Sequence, residues 1–167
     1  MRFSNTLIAV RDMERSLAFY RELFGQEVKL DLGWCKILDC GLTLQLHLDR
    51  IAGFPEDRMQ FKTYNMELYF ETEDMDGFMA LLDNHPEAER LDDLRTFPWL
   101  QRGIRIFDPD GHLIEVSEDM ATVAFREFDK GRNAEETAEL IQHPPELVRQ
   151  WYSIYTERRA SHEVSLD

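Results

Sequence analysis

Several side chains able to bind or move protons fall at alternate positions along short runs. Glu67, Tyr69 and Glu71 form one set, Thr43, Gln45 and His47 a second, Arg105 and Phe107 a third, and Leu113, Glu115 and Ser117 a fourth. Alternation with period two places each set on one face of a strand. Carboxylates, amides, an arginine and aromatic rings make an unusual core face. They suit a ligand-binding concavity, which needs apolar walls with a few convergent polar groups. His47 reads either as a base near neutral pH or as a polar wall residue. Arg105 reads as a clamp for a ligand carboxylate or as an ion-pair partner of Glu67, Glu71 or Glu115, and the ion pair is favoured. Trp34 and Trp99 could stack on a ligand or pack against the body. His85, His112, His143 and His162 fall in turns or the tail and read as solvated.

Two similar sets of elements must position these groups. Residues 3–10 alternate as a short strand, and Asp12 then caps an amphipathic helix that stops at Gly25. Strand-like runs follow at Glu27–Leu32, Trp34–Asp39 and Leu42–Asp49. After a linker over residues 50–64, Glu67–Thr72 reads as a strand and Asp74 caps a second helix. The polar stretch His85–Thr96 holds a short strand, and Gly103–Phe107 and His112–Ser117 flank a tight Asp-Pro-Asp-Gly turn. Residues about 1–49 and 65–120 are therefore each β-α-β-β-β. Two spacings support duplication: Val10-Arg11-Asp12-Met13 and Thr72-Glu73-Asp74-Met75 lie 62 positions apart, and the runs from Gly41 and Gly111 lie 70 apart. One strand face is mainly apolar (Ile8, Leu44, Phe70, Ile106, Ile114) and must pack under the helices. Residues 121–167 read as a helical extension, with helices over Arg132–Gln142 and Pro145–Ala160 broken at His143-Pro144-Pro145.

Composition narrows the partners. The chain has 167 residues, 43% of them hydrophobic, and a formal net charge of −14. That charge disfavours nucleic acid and anionic membranes, which are bound through clustered Lys and Arg. The segments at residues 135–140 and 147–149 outline a helix-turn-helix, but no basic face accompanies them. No apolar run approaches bilayer length, and the N-terminus lacks the shape of a signal peptide. Cys35 and Cys40 match no metal or redox motif, so a reducing, cytoplasmic setting is expected.

The run Asn5-Thr6-Leu7-Ile8-Ala9-Val10-Arg11-Asp12-Met13-Glu14-Arg15-Ser16-Leu17-Ala18-Phe19-Tyr20, with Phe107-Asp108-Pro109-Asp110-Gly111-His112-Leu113-Ile114-Glu115-Val116, resembles the glyoxalase/bleomycin-resistance/dioxygenase superfamily, or vicinal oxygen chelate proteins. The resemblance covers roughly residues 3–120 and leaves the tail outside. It implies an α+β fold in which two β-α-β-β-β units form a cupped mixed sheet, here with a helical C-terminal extension. In metal-dependent members a divalent ion in the cup chelates adjacent substrate oxygens.

Carried onto this chain, the ligand positions are Asn5, Gln45, Glu67 and Glu115. The repeat agrees, since Asn5 and Glu67 are 62 apart and Gln45 and Glu115 are 70 apart. The set departs from the family's habit because it has no histidine. Its oxygen donors suit Mg²⁺, Mn²⁺ or Ca²⁺ better than Zn²⁺ or Ni²⁺. Without an ion, two inward carboxylates repel unless one is protonated or Arg105 lies between them.

Three functions follow as expectations. The favoured one is a small-molecule binding protein with a degenerate metal site, with enzyme activity left open and either a divalent ion or no cofactor. In its metal-free form an acidic, aromatic cup of Glu67, Glu71, Glu115, Tyr69 and Trp34 holds a cationic aromatic ligand, and Trp99, Arg105 and Phe107 are further ligand-binding candidates. The second is a glyoxalase-like lyase or isomerase using Glu67 and Glu115 with Gln45 around a divalent ion, with His47 as a further candidate base. The third is a ligand sensor acting through the C-terminal helices. A homodimer is expected in each case.

Overall fold

The computed structural model describes residues 1–164, with side chains described through Arg159. The element order holds two runs of one strand, a helix and three strands, followed by further helices. The first half runs β1 (Thr6–Ala9), α1 (Met13–Phe24), β2 (Val28–Asp31), β3 (Cys35–Leu38), β4 (Leu42–Gln45) and α2 (Leu48–Ala52). The second runs β5 (Leu68–Thr72), α3 (Met75–Asp83), β6 (Arg95–Thr96), β7 (Arg102–Phe107) and β8 (Leu113–Glu118). The extension adds α4 (Met120–Asp129), α5 (Ala134–Ile141) and α6 (Pro145–Val164). Two four-stranded sheets result, ordered β1-β4-β3-β2 and β5-β8-β7-β6. The fold is α+β, as the sequence implies.

The chain divides into two compact units. One contains Met1–Tyr69, Asp76–Asp92 and Arg105–Glu115; the other contains Phe70–Met75, Asp93–Ile104 and Val116–Asp167.

In the first unit, Asp12 accepts the Arg15 N–H to start α1, and Gly25 ends it at φ 63° with its N–H on the Arg21 carbonyl. Met13, Phe19, Tyr20 and Leu23 are buried along one stripe, each stabilising the fold by roughly 1.5–3 kcal/mol. The helix packs on β4. β4 runs parallel to β1, pairing Leu7 with Thr43 and Ala9 with Gln45, and antiparallel to β3, pairing Cys35 with Gln45.

The Asp-Pro-Asp-Gly turn is a knot tied to α1. Asp110 accepts hydrogen bonds from Ser16 Oγ, Arg15 Nη2 and the Arg11 N–H. Asp108 accepts the Tyr20 hydroxyl at 2.9 Å and meets His112 Nδ1 at 2.9 Å. Burial alone would raise the Asp108 carboxyl, but His112, backbone N–H groups and Tyr20 hold it below the usual aspartate range. Burial and the neighbouring Asp108 push the Tyr20 phenol well up. His112 is thus part of this knot and not a solvated turn residue. His85 pairs with Glu87, and His143 bonds the Ile141 carbonyl. The His162 side chain lies outside the described residues.

Two expectations within this unit change. The strand expected over Leu42–Asp49 ends at Gln45, because His47 turns the backbone to φ 55° and precedes α2. The linker over 50–64 accordingly contains most of α2 and a 3-10 turn at Glu56–Arg58.

In the second unit the extension has three helices, not two. α4 (Met120–Asp129) begins directly after β8, capped by Asp119. Val123, Ala124, Phe128, Ala138, Ile141 and Val148 form a core for α4–α6, with Trp99, Trp151 and Tyr155 packed against it. Two buried glutamates carry ion pairs: Glu127 with Lys130 and Arg132, and Glu118 with Arg102 and Arg126. Among the described residues, no helix is long and apolar enough to cross a membrane.

Candidate functional site

The sheet orders place the four repeat-equivalent residues in two pairs. Asn5 immediately precedes β1 and Gln45 ends the adjacent β4; Glu67 immediately precedes β5 and Glu115 lies on the adjacent β8. The amide group of Asn5 donates to Thr43 Oγ1. The Gln45 amide donates to the carbonyls of Trp34 at 3.0 Å and Leu46 at 2.7 Å, which fastens β4 to the turn before β3.

Arg105 organises the second pair. It lies on β7, whose neighbour β8 separates it from β5. Strands lie about 4.8 Å apart, so only a long side chain reaches over β8. Arg105 Nε donates to Glu67 Oε2 at 3.0 Å, and its Nη2 pairs with Glu115 Oε2. Asp92 joins from the chain before β6: its Oδ1 accepts the Arg105 N–H at 2.7 Å, and its Oδ2 lies 4.0 Å from Nη1. Three carboxylates therefore gather round one guanidinium, whose planar fork can serve several acceptors at once. Glu115 is nearly buried, at 7% side-chain exposure, whereas Glu67 retains 36%.

This group borders a cavity of about 450 Å³ lined by Tyr64, Asn65, Met66, Glu67, Leu91, Arg105 and Leu113. Its walls are mostly apolar or aromatic, and Glu67 and Arg105 supply the charge. The volume falls in the range of small-molecule sites.

The other expected site residues go elsewhere. Trp34 is half-exposed and borders a cavity of about 400 Å³ with Gln45, Cys35 and Ile51. Its ring meets the His47 ring edge-on at 4.9 Å. His47 itself lines a cavity of about 430 Å³ with Arg11, Arg50 and Phe61, not the one at Glu67. Phe107 is buried, with Lys62 Nζ 5.2 Å from its ring centre and Tyr64 edge-on at 6.0 Å. Tyr69 is exposed on β5. Glu71 and Trp99 belong to the second unit, where Trp99 stacks on Phe97 and donates to Gln101.

Sequence reasoning missed Asp92, Tyr64, Asn65, Met66 and Leu91. Tyr64 lies in the segment read as linker, Leu91 and Asp92 in the polar excursion, and Asn65 and Met66 between the linker and the strand expected from Glu67. Asp92 reaches Arg105 because Arg90 bridges to Ile106 and the Leu91 N–H bonds the Arg105 carbonyl. No local periodicity announces that pairing.

A model of the glyoxalase-like domain family matches residues 3–121. The chain belongs to this family. The glyoxalase-like domain places it in the vicinal oxygen chelate superfamily named from its motifs. A protein of unknown function from Agrobacterium tumefaciens str. C58 is 34% identical, with a TM-score of 0.61 over 71% of this chain and 94% of that one. A glyoxalase/bleomycin resistance protein/dioxygenase family enzyme from Burkholderia phytofirmans PsJN shares the fold at 15% identity, with a TM-score of 0.60 over 69% of this chain and 96% of the other. A lactoylglutathione lyase from Agrobacterium tumefaciens does so at 23% identity, with a TM-score of 0.55 over 71% and 94%. None of the curated proteins matches the chain.

Members of this superfamily commonly use divalent metals. Glu67 and Glu115 both accept from Arg105, and the Gln45 amide N–H groups are turned to backbone carbonyls. A divalent ion carries its own charge into a site and needs carboxylate oxygens directed at it. A guanidinium already bound to both acids competes for the same oxygens. The four residues as arranged do not fit a divalent ion.

Proposed function

We propose that this glyoxalase-like protein binds a small cationic molecule with an apolar or aromatic body, without a metal, in the cavity at Glu67. One observation carries the reading: Arg105 is held by Glu67, Asp92 and Glu115, while the partly exposed Glu67 faces a cavity walled by Tyr64, Met66, Leu91 and Leu113. The guanidinium's charge is shared among protein carboxylates, which favours an incoming cation over an anion. Tyr64 can add cation–π attraction, and the net charge of −14 draws cations at long range.

The reading includes a homodimer. Edge strand β2 and the turn after it expose Val28, Leu30, Leu32 and Trp34, and an apolar sheet edge favours pairing with another chain. It also includes a cytoplasmic setting, supported by free Cys35 and Cys40.

A calorimetric titration with three isosteric aromatic ligands ending in an amine, an alcohol or a carboxylate tests the charge preference. The amine should bind tightest, and Glu67→Gln should weaken it about tenfold, equivalent to roughly 1.4 kcal/mol. Equal binding of all three, or preference for the carboxylate, refutes the reading.

A further inference from the structure

The cavity of about 430 Å³ at His47 shares no lining residue with the one at Glu67. Two arginines, Arg11 and Arg50, and two acids, Asp49 and Glu56, line it together. They do not neutralise one another. Among the described residues, the side chains of Asp49, Arg50 and Glu56 enter no ion pair or hydrogen bond. We propose that this cavity binds a small zwitterion of the apolar amino-acid class: Arg11 and Arg50 take its carboxylate, Asp49 and Glu56 its ammonium, and Leu46, Met59 and Phe61 enclose its side chain.

Arg11 is held mainly by its ring contact, its guanidinium carbon lying 3.6 Å from the centre of the Phe61 ring. The nearest Asp110 oxygen is 3.8 Å from Nη1, beyond hydrogen-bond reach, and Asp110 is already served by Arg15 and Ser16. The planar N–H fork of Arg11 therefore remains available to a carboxylate. A lone anion entering the cavity would meet the two acids, and a lone cation the two arginines. An uncharged ligand would strip water from four charges and pair none of them. A molecule carrying both signs answers both sets. His47 brings the acids and bases together, because its left-handed turn at φ 55° starts α2 and so sets Asp49 and Arg50 beside Arg11 at one cavity. A histidine holds that angle at a conformational cost, and strain of this kind persists at ligand clamps. The volume suits a small molecule.

The test is calorimetric titration of the full-length chain with L-leucine, with leucinamide, which lacks the carboxylate, and with N-acetylleucine, which lacks the ammonium. Leucine should bind at millimolar concentration or tighter, and each blocked form about tenfold more weakly. Arg50→Gln should weaken leucine about tenfold without weakening leucinamide. Glu56→Gln should weaken leucine without weakening N-acetylleucine. Both residues are exposed, so neither change should move the unfolding midpoint. Arg50→Gln should also leave binding of the aromatic amine at Glu67 unchanged, and an amine that fails to bind there leaves the leucine result standing. Leucine that does not bind at tens of millimolar would overturn the inference. So would leucine that binds no tighter than either blocked form, or that binds wild type and Arg50→Gln equally.

Discussion

At the residue scale, the aspartates of the closing turn and the acids around Arg105 do different work. Asp108 has no exposed side-chain surface and serves Tyr20, His112 and two backbone N–H groups. Its folded-state carboxyl lies below the ordinary range, so its ionised form stabilises the fold at neutral pH. That contribution is complete above the ordinary aspartate range and is lost as pH falls through the lower, folded value. Asp108→Asn should therefore cost about 2–4 kcal/mol near pH 7, the scale of a broken buried charged network. Urea denaturation at pH 7 and in strong acid checks this: the gap between wild type and variant should shrink in acid. A gap independent of pH would show that charge is not what Asp108 contributes. The Asp-Pro-Asp-Gly turn was legible in the sequence as a turn. Its buried tie to Tyr20, 88 residues away in the chain, was not, because spacing reveals only local geometry.

At the element scale, the duplication was legible because helix caps, glycine stops and period-two alternation are local signals. The failures have local causes as well. His47 leaves the strand through a left-handed backbone angle that favours Asn or Gly and gives histidine no obvious signature. α4 was obscured because it follows β8 with only Asp119 between them. Both faces of β8 are buried, so its alternation of Leu113, Glu115 and Ser117 does not separate core from solvent as it would in a half-exposed strand.

Two elements offer tests. Gly111 has φ +88°, and an added Cβ would lie 2.7 Å from Lys62 Cγ and 3.2 Å from its backbone nitrogen. Gly111→Ala should lose about 1–3 kcal/mol in a denaturant titration, from backbone strain and displacement of Lys62; an unchanged midpoint would contradict the close approach. At α5, Asn133 and Glu136 form a reciprocal capping box. Asn133→Ala should cost about 1 kcal/mol, with Asn133→Ser recovering most of it. Thermal melts of the pair distinguish capping from a general effect of mutation at that position.

At the scale of the whole molecule, family membership was readable from two motifs, whereas the site was readable only in part. Glu67, Glu115 and Arg105 do meet, and their meeting turns a set of ligand positions into an ion-pair cluster. Asn5 and Gln45 are engaged within their own sheet, and Trp99 and Glu71 belong to the other compact unit. Leu113 on β8 is one cavity wall, but most of the rest comes from residues 64–66 and Leu91, between the regular elements, where sequence pattern carries least information. The exposed apolar residues of β2 make the assembly state a further test. Light scattering should report a dimer, and Leu30→Lys should shift it toward monomer without lowering the unfolding midpoint of the monomeric chain.

Metal-free binding of a cation in the proposed cavity at Glu67 is tested by the affinity of the aromatic amine for wild-type chain stripped with a chelator, compared with the same chain in excess Mn²⁺. Binding in the stripped protein with no gain on adding Mn²⁺ is expected, because Arg105 already holds Glu67 and Glu115. Binding that appears only when Mn²⁺ is restored would contradict it.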